Sequence, residues 1–459
     1  MTALVLAFLL VLAFWIPIFQ RWQRGVYLLL GYMPFAGVVT LLLYPSPWPT
    51  LFKDIFSVIP AYLSFFLLRQ QNNSSVRIPE VIVVTVMVLA SVVFIQMFNP
   101  GVANWMVAAI GVKVWLFYLP LIFLASAIIK SQEDLIRIFR LMTVIAWVPC
   151  LVGIAQWMGS LTFGYEATIQ AFYGDAAAQA TQNFASFDVG SFFRIPATFV
   201  FVTQYFGYTL AMITSAYALA AMDSSQAWRR FSLVTLGLVV FASFLSGARA
   251  AYVFVPILLT LSYIIDGRGK GLIQMVVVAP VFLLLALYAG NIDFIALYEM
   301  MTGLFVHYLE EIAYGGLAIQ ITPLGNGTGM NTGPARYAFE DPESFIAIES
   351  YYAKAAYELG LPGLVVVVTL FVTLLVYGHR SRRRLHDKGL RSCSAAILAF
   401  IITIMLNNFK GWQIDLDPIN VYLWLFTGFL LKLDRLTPDS RKQGAQSATV
   451  PGARLASLA

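Results

Sequence analysis

Charge is what this 459-residue chain has least of. Asp, Glu, Lys and Arg together make up 11% of it, whereas 60% of its residues are hydrophobic and the mean hydropathy is +0.79. Soluble domains carry about 25% charged residues, so an ordinary soluble enzyme or binding module is excluded. Cysteine is nearly missing as well. The two present, Cys150 and Cys393, fall in or beside different predicted helices, which leaves no disulfide framework and no metal or redox motif. There are only three histidines, and no polar stretch is long enough for a sizeable soluble module. The net charge of +6 is scattered over short loops, with no basic patch of the kind that binds nucleic acid.

What the chain does have is hydrophobic runs of about 17–25 residues from end to end, each long enough to cross a hydrocarbon core about 30 Å thick. Lipid cannot hydrogen-bond the backbone, so spans this apolar are helices. Helices are predicted roughly at 3–19, 26–44, 55–68, 80–98, 108–129, 139–158, 196–222, 232–246, 250–265, 272–290, 363–378, 393–409 and 419–433. The third, eighth and ninth are short for a crossing. The first has no basic residue before it and is followed by Arg21 and Arg24, the wrong flank for a cleaved signal peptide, so it reads as a retained helix. The expected fold is an all-α polytopic membrane protein with about 12–13 transmembrane helices. It forms one domain over residues 1–436, and the polar, small-residue tail at 437–459 is expected to be disordered in the cytoplasm.

With the amino terminus outside, twenty-two of the 29 lysines and arginines fall in inner loops and the tail, including six between Arg380 and Arg391. The positive-inside rule sets the orientation accordingly. Seven basic residues remain for the outer side and the membrane. Two larger outer loops are expected, 159–195 and 291–362, so chemistry is expected outside, where nucleoside triphosphates are absent. No internal repeat is evident.

Three outward charges draw attention. Arg249 sits in Ser246-Gly247-Ala248-Arg249-Ala250, a tight connection between two helices. It reads either as an interfacial anchor that snorkels to water or as an anion clamp, because a guanidinium presents a fixed fork of donors to phosphate oxygens. Arg194 ends the first outer loop, just before Ile195-Pro196 and an apolar helix. It reads as a headgroup-level cap or as the second half of a diphosphate clamp. Glu349-Ser350 is followed, nine residues later, by Gly360-Leu361-Pro362-Gly363, a turn or helix start by its own chemistry. The stretch Ser344–Leu359 is expected to form an outer amphipathic helix. On it Glu349 is either a solvated carboxylate or a general base on a sugar hydroxyl. Tyr351, Tyr352 and Tyr357 would suit stacking on sugars, although interfacial tyrosines need no such role.

The spacing Glu349-Ser350-x9-Gly-x-x-Gly is similar to the motif of the O-antigen ligase and O-antigen polymerase family, written His-(Asn/Ser/Gln)-x9-Gly-x-x-Gly. Ser-Gly-Ala-Arg249 resembles that family's Ser-Gly-Ser-Arg segment, and Arg194 before an outer helix mouth matches its other phosphate-binding arginine. The likeness spans roughly residues 140–380. It implies a metal-independent glycosyltransferase with a GT-C-like membrane fold in the bacterial inner membrane. An undecaprenyl-diphosphate-linked glycan would be the donor, with no cofactor and with a flippase or chain-length regulator as a possible partner. By the resemblance, Arg194 and Arg249 hold the diphosphate and position 349 activates the acceptor. The departure is that glutamate stands where the family has histidine, which points toward a polysaccharide polymerase over a lipid A-core ligase and leaves an inactive member open.

Weaker signals remain. His307, in a predicted amphipathic segment 303–311, is a substitute base or a polar-face residue, and with Glu310 and Glu311 it forms no convincing metal spacing. Gly325-x-Gly327-x-Gly329 lacks the preceding strand and following Lys-Ser/Thr of a phosphate loop and reads as a flexible hinge or lid, with Arg336 as a third phosphate or glycan contact. Lys113, the one basic residue placed inside a span, is expected to snorkel to the interface or to hold a partner, the former favoured. The leading expectation is a polymerase of lipid-linked repeat units, with glycan ligation close to it. A flippase or permease for the same lipid is the rival class, disfavoured because only Lys113 is intramembrane and no repeat is seen.

Overall fold

The computed structural model describes residues 2–44, 46, 48–68, 78–175, 178, 193–268, 284, 288, 294–341 and 345–436. Its principal helices are α1 (Thr2–Gln20), α2 (Gln23–Leu42), α3 (Trp48–Leu67), α4 (Glu80–Met97), α5 (Trp105–Ile128), α6 (Gln132–Phe163) and α7 (Tyr165–Tyr173). They continue with α8 (Val202–Met222), α9 (Gln226–Leu245), α10 (Ala251–Asp266), α11 (Phe294–Ile321), α12 (Tyr351–Arg384), α13 (Lys388–Asn407) and α14 (Ile419–Leu430). Among the described residues there is no strand, and eight helices are long and apolar enough to cross a membrane: α2 to α6, α9, α12 and α13. The chain is an all-α protein with the build of a multi-pass membrane protein.

Every expected span falls on a helix except 272–290, which, apart from residues 284 and 288, lies outside the described residues, as does the tail 437–459. Three boundaries move. The third span begins at Trp48, which lengthens it to 20 residues. The seventh begins only at Val202, because Pro196–Phe201 is an irregular loop. The outer loop expected at 291–362 contains the 28-residue α11 in place of a short amphipathic segment. No proline interrupts that stretch until Pro323, and the helix stops two residues before it, as the steric demand of proline requires.

Packing follows apolar coverage. Every residue of α14 is buried, as expected of a helix that is hydrophobic all round and sits at the centre of a bundle. It packs on the second half of α5 and on α13, while α8 packs on both α9 and α13. At the periphery, α4 exposes Val81, Val84, Met87 and Ile95, the face a lipid-contacting helix presents. The end that gathers the Lys/Arg-rich loops is tied by paired charges. Arg140 grips Asp223 with two bonds of 2.7 and 2.8 Å. Asp266 accepts from Ser392 at 2.9 Å and pairs with Arg268 at 2.6 Å, joining α10 to α13. The far end of the bundle lies opposite.

One break shapes the far end. Within α12, Gly360 has φ 68° and ψ −172°, a conformation reserved for glycine. The helix therefore stops at Leu359 and restarts at Leu361-Pro362, with proline in the first turn of the new segment. The interruption would strand backbone groups in a buried place. Residues 323–328 satisfy them: Asn326 N donates to Tyr357 O (2.8 Å), Gly327 N to Glu358 O (3.0 Å), and Leu361 N to Pro323 O (2.9 Å). Gly325, Gly327 and Gly329 are glycines because this strap is squeezed on both sides. All three have positive φ, and a Cβ on Gly327 would lie 2.2 Å from the Val102 side chain, one on Gly329 2.1 Å from Val107 O. The expected flexible hinge is thus a packed strap. Its backbone donors serve α12 and α4, the latter through Thr328 N to Gln96 O (3.1 Å).

Gly360→Ala therefore adds backbone strain and a Cβ 2.4 Å from Leu324 C, and is expected to cost about 3 kcal/mol. Gly303→Ala, on α11 with nothing within 4 Å of the new Cβ, is expected to be neutral or slightly stabilising. Thermal unfolding of the purified protein in detergent compares the two.

Candidate functional site

The far end brings Arg194 and Arg249, two of the three charges singled out by the sequence, together through a glycine. Ser246 Oγ accepts from Ala248 N (3.2 Å) and donates to Ser243 O (2.6 Å), closing the end of α9 into a turn. Gly247 follows with φ 72°. A Cβ there would lie 2.2 Å from Phe193 O and 3.1 Å from Arg194 Cα. Ile195 N donates to Ser246 O at 2.9 Å. The Ser-Gly-Ala-Arg249 turn is therefore docked directly on the backbone that carries Arg194.

The loop holding Arg194 is fixed from several directions. Ala197 adopts φ 51°, an unusual choice for a residue with a Cβ, and its carbonyl accepts from Gln156 Nε2 at 3.1 Å and from the Tyr173 hydroxyl. Burial pushes the Tyr173 pKa up to about 12, so that hydroxyl stays a donor. Val38 N donates to Thr198 O at 3.0 Å, and Gly37 lets Phe199 approach so closely that a Cβ would be 2.2 Å from Phe199 Cα. Burial, and then the positive charge of Arg249, lower the Arg194 pKa from its ordinary value, while Glu349 acts in the opposite direction. Arg249 itself is exposed and Arg194 half-buried.

Glu349 does not lie on a helix. Ser350 N-caps α12 by accepting from Ala353 N at 3.2 Å, so the helix begins at Tyr351 and the expected helix over 344–350 is absent from its described part, Phe345–Ser350. A serine cap outcompetes helix continuation at this position. The carboxylate of Glu311, on α11, accepts from Glu349 N (3.2 Å) and Ser350 N (3.1 Å), a favourable place for negative charge at a helix start. The Glu349 side chain is 52% exposed and pairs with Lys410 Nζ at 3.4 Å.

Beneath this surface lies a buried charge network that sequence reasoning missed. Lys354 and Glu358 are both fully buried. Lys354 pairs with Asp415 and sits 4.8 Å from the Trp115 ring centroid. Glu358 accepts from Trp115 Nε1 (2.6 Å), Asn331 N (2.7 Å) and Thr332 Oγ1 (3.0 Å). Burial raises the Asp415 pKa, with Lys354 opposing. Two residues further on, Asp417 pairs with Lys53 at 2.8 Å. Asp54 then joins Lys113 (2.6 Å) and accepts from the Tyr118 hydroxyl (2.6 Å). Lys113 therefore has a partner inside the bundle and is not a simple snorkelling side chain. Nor is it alone there, because Lys53 and Asp54 are 5% and 3% exposed.

The remaining candidates are placed differently. His307 is exposed and bonded to Glu310 through Nδ1 at 2.9 Å, one turn from Glu311 but with no bond to Glu349 or either arginine among the described residues. Arg336 is exposed and makes no ion pair among the described residues. Tyr351 is buried against Trp115, ring centroids 5.2 Å apart. Tyr352 donates to Met405 O at 3.0 Å, and Tyr357 is half-buried. No group of three or more metal-ligating side chains occurs among the described residues. The signal that could have found the missed residues was the orientation rule itself. The seven basic residues it leaves over are Lys53, Lys113, Arg194, Arg249, Arg336, Lys354 and Lys410, and all but Arg336 belong to the arrangement just described.

Breaking the buried Lys354–Asp415 pair strands a charge. Lys354→Met alone is expected to cost about 3–5 kcal/mol, whereas Lys354→Met combined with Asp415→Leu recovers most of the loss. A double-mutant cycle by thermal unfolding measures it, and additive losses would contradict the pairing.

No protein-family model matches this chain, and no curated protein matches it in sequence.

Proposed function

We propose that this protein is a metal-independent glycosyltransferase of GT-C-like build in the bacterial inner membrane, with its site on the extracytoplasmic face. It polymerises oligosaccharide repeat units carried on undecaprenyl diphosphate. The observation that carries the reading is the docking of the Gly247 turn on the Arg194 backbone, which brings Arg249 and Glu349 within electrostatic reach of Arg194. Two guanidinium groups matched to a diphosphate stabilise the charge that develops as the sugar–phosphate bond breaks. An acceptor hydroxyl forms the new bond to the sugar C1, its proton passes to the Glu349 carboxylate, and the lipid diphosphate leaves with the bonding electrons. Lys410 and the Glu311 cap hold the backbone and carboxylate of Glu349 at the helix mouth. Transfer to a different acceptor, as in a ligase, uses the same chemistry.

A second reading, a transporter for the same lipid, draws support from the buried Lys53–Asp417 and Lys113–Asp54 pairs. Ionisable groups inside a helical bundle often mark transport paths, and the scarcity of such charges no longer counts against it.

In nanodiscs with an undecaprenyl-diphosphate oligosaccharide, and without nucleotide or metal, wild-type protein is expected to produce a ladder of lipid-linked products one repeat apart. Arg194→Ala and Arg249→Ala each lower the rate about 10²–10³-fold, and Glu349→Gln about 10²–10⁴-fold. A single ligated product would move the assignment to a ligase. A wild type that makes no product yet carries the lipid across the bilayer would establish transport in its place, and an unaffected Glu349→Gln would remove Glu349 as the base.

A further inference from the structure

The segment Asn407–Asn420, from the last residue of α13 through the connecting loop to the first turn of α14, lies across the mouth of α12. Asn408 O accepts from Tyr351 N at 3.0 Å, Trp412 Nε1 donates to Ile348 O, and Lys410 pairs with Glu349. The segment also carries four amide side chains that are almost wholly buried: Asn407 (4% exposed), Asn408 (0%), Gln413 (4%) and Asn420 (6%). Among the described residues Asn407 Nδ2, both polar atoms of the Asn408 amide, Gln413 Oε1 and Asn420 Oδ1 have no hydrogen-bond partner, and neither has Asp417 Oδ1. Six such atoms fall within these fourteen positions.

Buried polar atoms are almost always paired, so a concentration like this one needs a reason. Its chemistry narrows the partner. A primary amide offers two donors and an acceptor from one flat end, and the unpaired atoms here include both kinds. An anion would meet the Asp417 carboxylate and three amide oxygens, and a metal cation would meet the amide N–H groups. Neutral hydroxyls, which donate and accept, suit the whole set. Small residues bring Asn407 and Gln413 around Gly411 and set Gln413 against α8. The Cβ position of Gly411 is 3.6 Å from Gln413 Cγ and 3.9 Å from Asn407 Oδ1, and that of Gly207 on α8 is 2.8 Å from Gln413 Oε1.

We infer that Asn407, Asn408, Gln413 and Asn420 form a carbohydrate subsite that takes the sugar hydroxyls of the glycan whose diphosphate the arginine pair holds. This inference rests on the glycosyl-transfer reading and adds to it where the sugar lies. The test measures binding in nanodiscs of two probes, bare undecaprenyl diphosphate and the same lipid bearing an oligosaccharide. Wild type is expected to bind the glycosylated lipid about tenfold more tightly. Gln413→Leu and Asn420→Leu abolish that preference while leaving affinity for the bare lipid unchanged. Gln413→Met, which keeps the length of the side chain and removes both polar atoms, is also expected to lose the preference and covers failure of the leucine variants to fold. Variants that keep the preference would show that the amides hold only water and would overturn the subsite. So would a wild type that binds both lipids equally, with the diphosphate clamp left standing. A wild type that binds neither lipid would remove the clamp and the subsite together.

Discussion

A helix that breaks inside a packed bundle must find partners for the backbone groups it releases, and the far end of this protein is built around one such break. Gly360 stops α12 in a conformation that only glycine adopts readily, and the glycine strap of residues 325–329 supplies the missing donors. Both requirements are strict, because side chains at these glycines would overlap neighbouring backbone or side-chain atoms. The consequence is a short helix, Tyr351 to Leu359, that stands apart from the long apolar remainder of α12. It carries Lys354 and Glu358 into the core, and its capped start presents Glu349 beside Lys410.

Charge at this end is distributed in two layers. The outer layer is reachable: Arg249 is exposed, Arg194 is half-buried and Glu349 is half-exposed. The inner layer is buried and paired, with Lys354 on Asp415, Lys53 on Asp417 and Lys113 on Asp54. Buried pairs of this kind contribute little net stability compared with apolar residues of the same volume. Here they join α3, α5 and α12 to the loop before α14. A network that fixes the loop carrying Lys410 also fixes the partner of Glu349, so the inner layer holds the outer one in register.

Hydropathy made the helices legible, because lipid leaves a long apolar segment no alternative to helix, and every expected span within the described residues lies on one. The orientation rule singled out Arg194 and Arg249 for the same reason, since basic residues on the wrong side need a cause. What stayed hidden depends on tertiary pairing. Lys354 and Glu358 sit in a stretch that reads as amphipathic, and only Asp415 and Trp115, distant in sequence, turn it inward. Lys113 read as a snorkelling residue because its partner, Asp54, lies 59 positions earlier on α3. The glycines of the strap read as flexible because composition reports freedom of the chain, not the crowding that removes it. Glu349 reads as part of a helix, yet the Ser350 cap starts that helix only at Tyr351, two residues after it.

The most direct test of the central claim is an experimental structure of the protein in nanodiscs with an undecaprenyl diphosphate bearing a non-transferable sugar. The account predicts both phosphates in contact with the guanidinium groups of Arg194 and Arg249, and the sugar C1 on the side of Glu349. A diphosphate bound instead at the Lys53–Lys113 network, or at the end that carries the Arg380–Arg391 loop, would contradict it.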